Sequence, residues 1–217
     1  VDDKLLSKCI YRVELDSPNE PRCIVSWSGF KYEETISVDG KRVAFQAAEE
    51  DCKGYRHGEP YGCLRHIYVM DSDGSDIRRI TDKPSDFCHL EWSSNNIQLA
   101  YTELCSPVNE RMRKVYVVTL EPYNLPKQVT QLTANGESGG WLPNGEWLEW
   151  LSPQYGPGFE HRLARIDADG KVVDEISLDY AGGWSPHGVW SPDSNKLAWI
   201  TGENVIRVWN RERDEVT

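Results

Sequence analysis

Positive charge is scarce in this chain of 217 residues, which has 24 Lys and Arg residues against 35 Asp and Glu residues and a formal net charge of −11. Because such a chain repels phosphate, its composition disfavours binding to nucleic acid or to anionic membranes through a general electrostatic footprint. No apolar run approaches the roughly 20 residues of a membrane-spanning helix, and no window shows sustained helical periodicity. An initiator Met and a signal-peptide pattern are also missing, so we expect any targeting segment to have been removed or to lie outside this sequence.

Aromatic and turn-forming residues are plentiful instead. The chain has 9 Trp, 10 Tyr, 17 Gly and 12 Pro residues, and 39% of its residues are hydrophobic. That hydrophobic content is sufficient for a core and too high for a disordered chain. The composition favours many short strands and tight turns over a helical bundle.

Six cysteines fall as three local pairs: Cys9 and Cys23, Cys52 and Cys63, Cys88 and Cys105. An even count at short spacings favours disulfides, which persist in secreted or periplasmic compartments. Connectivity cannot be read from sequence, but sequential pairing would join neighbouring strands or close one loop. A zinc site is the alternative at Cys52, His57, Cys63 and His66, although structural zinc sites usually have tighter spacing. Free thiols are the third interpretation.

One pattern recurs along the chain. Trp92, Trp141 and Trp190 are spaced every 49 residues, and each precedes a tight turn and a second apolar strand. A degenerate first copy, from Glu34 to Ala47, has Ile36 in place of the Trp. The turns are Asp39-Gly40, Asn95-Asn96, Asn144-Gly145 and Asp193-Ser194, which all suit positive φ.

A third and a fourth strand follow each of the first three copies. Third strands are predicted at 66–71, 114–120, 162–167 and 205–210, and fourth strands at 77–81, 128–133 and 172–178. A four-stranded antiparallel unit that recurs at this interval is typical of a propeller blade, since blades bury their two faces against their neighbours. A β-sandwich is the alternative architecture, but it does not require equal spacings.

The residues from Ile67 to Asp82 and from Trp92 to Tyr101 resemble the TolB-type propeller repeat, a WD-like repeat of bacterial periplasmic and extracellular proteins. The residues from Trp190 to Trp199 match the same repeat. The third copy, which has Leu142 in place of a Ser, and the first copy, which lacks the Trp, depart from it. The resemblance implies a propeller fold and a protein-interaction role.

The predicted fold is therefore all-β, a propeller of four-stranded antiparallel blades with about four blades present, in a partial, split or small ring. Residues 1–217 form a single propeller domain or propeller fragment. Residues 28–81, 86–133 and 138–178 are predicted as complete blades, 1–27 as strands C and D of a preceding blade, and 182–217 as an incomplete last blade. Either the two ends combine into a fourth blade with a surplus strand, or the chain is a piece of a larger propeller. We prefer the second, because the first leaves an exposed strand edge.

The candidate binding residues lie in three long connections between strands B and C, which share one face of a propeller with the connections between strands D and A. They are Tyr55, Arg56, His57, Tyr61, Arg111, Arg113, Tyr155 and Phe159. Tyr and Arg are enriched at interface hot spots, and loops on a rigid scaffold often carry recognition. The alternative is that these loops are decorated surface without a partner.

No catalytic residue, cofactor site or metal site is predicted. Gly136 to Gly140 matches the G-x-S-x-G nucleophile motif around Ser138, but no helix follows it. Asp-rich segments at 71–76 and 167–170 are interpreted as hairpin turns, although the acidity of the chain is compatible with adventitious calcium binding.

The functional prediction is a non-catalytic protein-binding scaffold of an exported multi-component assembly, periplasmic or extracellular, that binds other protein subunits. It excludes nucleic acid and direct membrane insertion. The alternatives are a propeller domain of a serine peptidase-type enzyme with its catalytic domain elsewhere, and a carbohydrate-binding or surface structural module.

Overall fold

The computed structural model describes residues 8–14, 16, 18, 20–27, 31–48, 64–105, 113–121, 125–133, 136–153, 159–178, 188–200 and 204–217. These residues form eighteen strands in five antiparallel sheets. Within that part of the chain no helix is long and apolar enough to cross a membrane.

The first sheet is a two-stranded pair, and the other four sheets have four strands each, with consecutive strands adjacent. The pair is β1 (Lys8–Arg12) and β2 (Arg22–Trp27). Blade 1 is β3 (Lys31–Ile36), β4 (Arg42–Ala47), β5 (His66–Asp71) and β6 (Arg78–Arg79). Blade 2 is β7 (Phe87–Trp92), β8 (Gln98–Glu103), β9 (Lys114–Glu121) and β10 (Leu125–Thr133). Blade 3 is β11 (Glu137–Trp141), β12 (Trp147–Pro153), β13 (Phe159–Ile166) and β14 (Val172–Leu178). Blade 4 is β15 (Val189–Trp190), β16 (Lys196–Ile200), β17 (Ile206–Asn210) and β18 (Glu215–Val216).

The predicted fold class is confirmed: the described chain is all-β, its blades are four-stranded and antiparallel, and it forms a partial propeller. The two ends of the chain lie in separate sheets, because β1 pairs with β2 and β18 pairs with β17. The last sheet, which we expected to be incomplete, has a short fourth strand. Backbone hydrogen bonds of 2.9 Å in both directions between Val208 and Thr217 extend it by one residue.

The turn between strands A and B has the same construction in each blade. In blade 2 the Asn95 side chain accepts hydrogen bonds from the Ser93 hydroxyl and the Ile97 amide, at 2.5 and 3.0 Å. The next residue, Asn96, has a φ of 61°. Gly40, Gly145 and Ser194 occupy this left-handed position in the other blades, with φ of 70°, 69° and 58°. The Asn, Asp and Gly residues of the repeat therefore stabilise the backbone conformation of the turns.

Apolar side chains join neighbouring sheets, since blades 1, 2 and 3 each contribute residues to two different clusters. Ala44 of blade 1 packs with Leu99 of blade 2, whereas Ala100 on the opposite face of blade 2 packs with Leu148 of blade 3. The next cluster joins Leu163 of blade 3 to residues of blade 4, and the β1–β2 pair covers the remaining face of blade 1. The alternation follows from the two-residue period of a strand.

The repeated Trp residues lie between blades. The Trp92 indole N–H donates to the Thr35 carbonyl of blade 1 at 3.3 Å, and the Trp141 indole donates to the Glu91 carbonyl of blade 2 at the same distance. The Trp190 indole of blade 4 donates instead to a carboxylate oxygen of Glu149, at 3.1 Å. Each indole therefore links its blade to the preceding one.

Candidate functional site

Most of the predicted binding residues lie outside the described residues. These are Tyr55, Arg56, His57, Tyr61, Arg111 and Tyr155. Phe159 begins β13, but its side chain is also outside the described part. Arg113 is described and half-buried, and its Nη2 donates to the Cys105 carbonyl at 3.3 Å. This contact anchors the two ends of the connection between β8 and β9.

Among the described cysteines two disulfides are present, Cys9–Cys23 and Cys88–Cys105, both between sequential cysteines. The first joins β1 to β2. The second joins the start of β7 to the residue two positions beyond β8, where the Cys105 amide also donates to the Asp86 carbonyl at 3.2 Å. The Cys52 and Cys63 pair lies outside the described residues. The Cys88–Cys105 bond therefore braces the base of the second long connection.

The zinc alternative involved four residues, of which His66 is described. The ring of His66 is buried, and its Nδ1 lies 3.0 Å from the Thr81 carbonyl and 3.1 Å from the Thr81 hydroxyl. Across the described residues, no cluster of three or more His, Cys, Asp or Glu side chains could hold a metal ion. His66 instead ties β5 to the start of the connection between blades 1 and 2.

That connection, residues 80–86, is held in place by blade 1. The Arg65 and Ser85 backbones exchange two hydrogen bonds of 2.9 Å. The Arg65 guanidinium also lies 2.5 Å from an Asp86 carboxylate oxygen, and the two side chains are 15% and 31% exposed. Connections of the D–A type and of the B–C type are thus tied together on one face, which we call the loop face.

A cleft of about 280 Å³ lies between blades 1 and 2 at this face. Its walls include Asp82, Lys83, Phe87, Tyr101, Glu103 and Tyr116. The first two belong to the connection between the blades, and the others lie on β7, β8 and β9. We call it the tyrosine cleft.

Aromatic rings form one wall of the tyrosine cleft. Tyr101 and Tyr116 are directly opposite each other on β8 and β9, and their rings stack at 5.3 Å with an interplanar angle of 20°. Phe87 meets Tyr101 edge to face, with ring centroids 5.6 Å apart at 86°. The Tyr116 hydroxyl lies 3.2 Å from Glu103 Oε2 and 3.2 Å from Gln131 Oε1.

The electrostatic environment of this wall is negative. Burial, then the Tyr116, Glu103 and Asp82 side chains, raise the pKa of Tyr101 far above its usual range. Burial and the adjacent Glu103 carboxylate raise the pKa of Tyr116 to about 12. Both phenols therefore stay protonated at neutral pH, and the Tyr116 hydroxyl donates its hydrogen bond to a neighbouring carboxylate or amide oxygen.

A larger cavity of about 420 Å³ lies elsewhere, between β1 and the β3 strand of blade 1. Ile10, Tyr11, Ile24, Ile36 and Val43 line it together with a few polar residues. It adjoins β1 and lies away from the loop face.

The remaining sequence motifs have structural roles. Gly136 is followed directly by β11, so Ser138 lies in a strand. In the first Asp-rich segment, the Asp73 carboxylate accepts from the Ser75 hydroxyl and amide at 2.6 and 2.8 Å. In the second, Asp167 accepts from the Lys171 amide at 2.9 Å. Each of these carboxylates therefore accepts hydrogen bonds from its own hairpin turn.

The sequence does not predict the tyrosine cleft, because Tyr101 and Tyr116 carry no motif beyond that of strand residues. Their cross-strand pairing could have been anticipated from the strands of blade 2. The position of Asp82 and Lys83, which follow blade 1 and complete the cleft, could not have been anticipated in this way.

No protein-family model and no curated protein sequence matches this chain. Solved structures do match it. TolB from Acinetobacter baumannii is 17% identical with a TM-score of 0.58, over 95% of this chain and 47% of that one. The β-propeller domain of the trilobed protease from Pyrococcus furiosus is 15% identical with a TM-score of 0.65, over 99% of this chain and 64% of that one. Oligogalacturonate lyase from Vibrio parahaemolyticus is 11% identical with a TM-score of 0.68, over 96% and 59%.

The chain has a TolB-type β-propeller fold. It spans about half the length of the Acinetobacter TolB structure, and at these identities the likeness extends to the fold and not to the activity.

Proposed function

We propose that this chain is a non-catalytic, exported protein-binding propeller that contacts another protein subunit through the loop face. The observation that carries the proposal is the construction of that face. The described ends of two long connections lie there, beside the Arg65–Asp86 ion pair and the Cys88–Cys105 disulfide. Loops on a rigid support are a common arrangement for recognition, because the support removes part of the entropic cost of binding.

Export is supported by the two disulfides, since such bonds persist in oxidising compartments and are rare in reducing ones. A periplasmic or extracellular location agrees with the TolB-type fold. The net charge of −11 favours a protein partner over nucleic acid.

The fold does not by itself choose the function. The solved neighbours include a TolB protein, a protease domain and a lyase, and one fold commonly hosts unrelated activities. The argument for protein binding therefore rests on the loop face of this chain.

The test compares two triple-alanine variants of the chain. The first changes predicted loop-face residues: Tyr55→Ala, Arg111→Ala and Tyr155→Ala. The second changes exposed residues of turns on the opposite face: Lys41→Ala, Glu146→Ala and Lys171→Ala. The partner is captured with the wild-type chain, identified, purified and titrated against all three proteins by calorimetry.

We expect the loop-face variant to bind at least about tenfold more weakly, since hot-spot side chains carry most of the affinity. The opposite-face variant should bind like wild type, and both should retain the wild-type melting temperature. Equal binding by the loop-face variant, or weaker binding by the opposite-face variant alone, would contradict the proposal.

A further inference from the structure

The tyrosine cleft has the chemistry of a receptor for one positively charged side chain. We propose that it binds an arginine side chain of the partner protein, with the guanidinium against the tyrosine wall. This inference rests on the proposed function, because it specifies the chemistry of the partner at the loop face. It makes Tyr101, Tyr116 and Glu103 the recognising residues.

The aromatic wall fits a flat cation. The Tyr116 ring, which stacks nearly parallel on the buried Tyr101 ring at 5.3 Å, is half-buried and lies beside the cavity. A guanidinium is planar, weakly hydrated and stacks on aromatic faces, where the ring quadrupole attracts the positive charge. The volume of about 280 Å³ is at the lower end of small-ligand sites and suits one side chain better than a folded segment.

The charges of the cleft favour a cation over an anion. Glu103 and Asp82 supply two carboxylates, against the single ammonium of Lys83. The Tyr116 hydroxyl, which is 3.2 Å from Glu103 Oε2, holds that carboxylate beside the aromatic wall. Its other oxygen, Oε1, has no hydrogen-bond donor among the described residues, so it is available to a guanidinium N–H.

The Tyr101 hydroxyl supplies a further hydrogen-bonding group to the cleft. Tyr101 is only 5% exposed and lines the cleft. Within the described part of the chain its hydroxyl makes no hydrogen bond and is not fully buried, so it is open to a ligand in the cleft. A bound guanidinium would donate to this oxygen while its plane lies against Tyr116.

A neutral sugar is the competing occupant, because sugars also stack on aromatic rings. The observations favour the cation, since a sugar gains less from two carboxylates beside the ring wall. The probes must therefore separate charge from shape.

The test uses the full chain with 3-fluorotyrosine in place of its tyrosines, followed by ¹⁹F NMR. The signals of the two cleft tyrosines are assigned with Tyr101→Phe and Tyr116→Phe. The probe is an acetylated, amidated pentapeptide of four glycines around a central arginine, titrated at low salt. The matched control peptide has citrulline, which is neutral and nearly isosteric, in place of arginine, and chitotetraose is the sugar probe.

We expect the arginine peptide to shift both assigned signals to saturation with a dissociation constant on the order of 1 mM, as a single exposed cation–π and carboxylate contact allows. The citrulline peptide and chitotetraose should leave them unshifted at equal concentration. Shifts of equal size with citrulline, a saturable shift with chitotetraose, or no saturable shift with arginine would each overturn the proposal.

Three single variants test the charges. Glu103→Gln should weaken arginine-peptide binding by about threefold or more, and Lys83→Gln, which removes the repelling ammonium, should strengthen it by about twofold. Glu146→Gln removes the same charge from an exposed turn on the opposite face and should change nothing. Equal effects of the Glu103 and Glu146 changes would contradict the assignment. The melting temperature of each variant is measured as a control, and an unchanged value shows that weaker binding is not caused by a folding defect.

The two proposals fail separately. If the arginine peptide does not bind but the loop-face triple variant still loses its partner, the cleft assignment is wrong and the protein-binding function stands. If the peptide binds but the triple variant retains its partner, the cleft is a cation site unconnected to the proposed loop contacts.

Discussion

Leu148→Ala tests whether blades 2 and 3 bury their facing surfaces. Leu148 is fully buried in β12 and packs with Val115, Val117 and Ala100 of blade 2. The substitution removes three carbon atoms from this contact. At about 0.8 kcal/mol for each, the lost transfer free energy is about 2.4 kcal/mol.

The cavity left behind adds to that loss, because a close-packed interface between two sheets relaxes only in part. We therefore expect the free energy of unfolding to fall by about 3–4 kcal/mol, within the range of about 2–5 kcal/mol for buried leucines. For a chain of this length the melting temperature should fall by roughly 6–16 °C.

The assay is urea denaturation followed by tryptophan fluorescence, with Leu64→Ala as the matched control. Leu64 is 56% exposed, so its truncation should change the free energy of unfolding by less than about 0.5 kcal/mol. A loss of less than 1 kcal/mol at Leu148, or equal losses at the two leucines, would refute the face-to-face packing of the blades.

Two further predictions concern the turns and a buried carboxyl. Gly145→Ala should destabilise the fold by about 1–3 kcal/mol more than Gly40→Ala. Both positions have positive φ, but a Cβ at Gly145 would overlap the Ser94 side chain, whereas a Cβ at Gly40 meets nothing within 4 Å. Equal losses of the free energy of unfolding in urea denaturation would contradict this. Burial raises the pKa of Glu91 above its ordinary value of 4.5, so the folded state holds the proton more tightly and the free energy of unfolding should fall as the pH rises from about 4.5 through the raised pKa. Glu91→Gln should flatten this dependence and the exposed Glu146→Gln should not, and an unaltered slope in Glu91→Gln would show that the carboxyl is not the cause.

The fold could be predicted because each copy of the repeat has a local residue pattern that favours two strands joined by a tight turn. The tryptophans at intervals of 49 residues and the Asn, Asp and Gly turn residues specify strand, turn, strand without reference to the rest of the chain. Trp92 and Trp141 then donate to equivalent carbonyls of the preceding blades, a regularity that equal spacing anticipates.

The boundaries of the shortest strand could not be predicted. Residues 77–81 suit a strand, but β6 is limited to Arg78–Arg79. Beyond β6, a side chain replaces the backbone pairing between strands. The Thr81 hydroxyl accepts a hydrogen bond from the Ile67 amide at 3.2 Å and contacts the His66 ring. Such replacement of backbone pairing by a side chain depends on a partner 14 residues away.

The candidate site was partly accessible to sequence reasoning. The lengths of the connections predict the loop face as a binding surface, which stays a prediction, and Arg113 anchors one of these connections through the Cys105 carbonyl. The tyrosine cleft was not anticipated, because it needs Asp82 and Lys83 of the connection between blades 1 and 2 to lie beside Tyr101 of blade 2. That placement depends on the Arg65 and Ser85 contacts, which no local pattern encodes.

Amide hydrogen exchange of the chain with and without its identified partner tests most directly the claim that the loop face is the recognition surface. The account predicts slower exchange on binding in residues 81–88, 101–105 and 113–116, with unchanged exchange in the turns at 37–41, 93–97, 142–146 and 191–195. Protection confined to those turns, with residues 81–88 and 101–105 unaffected, would contradict it.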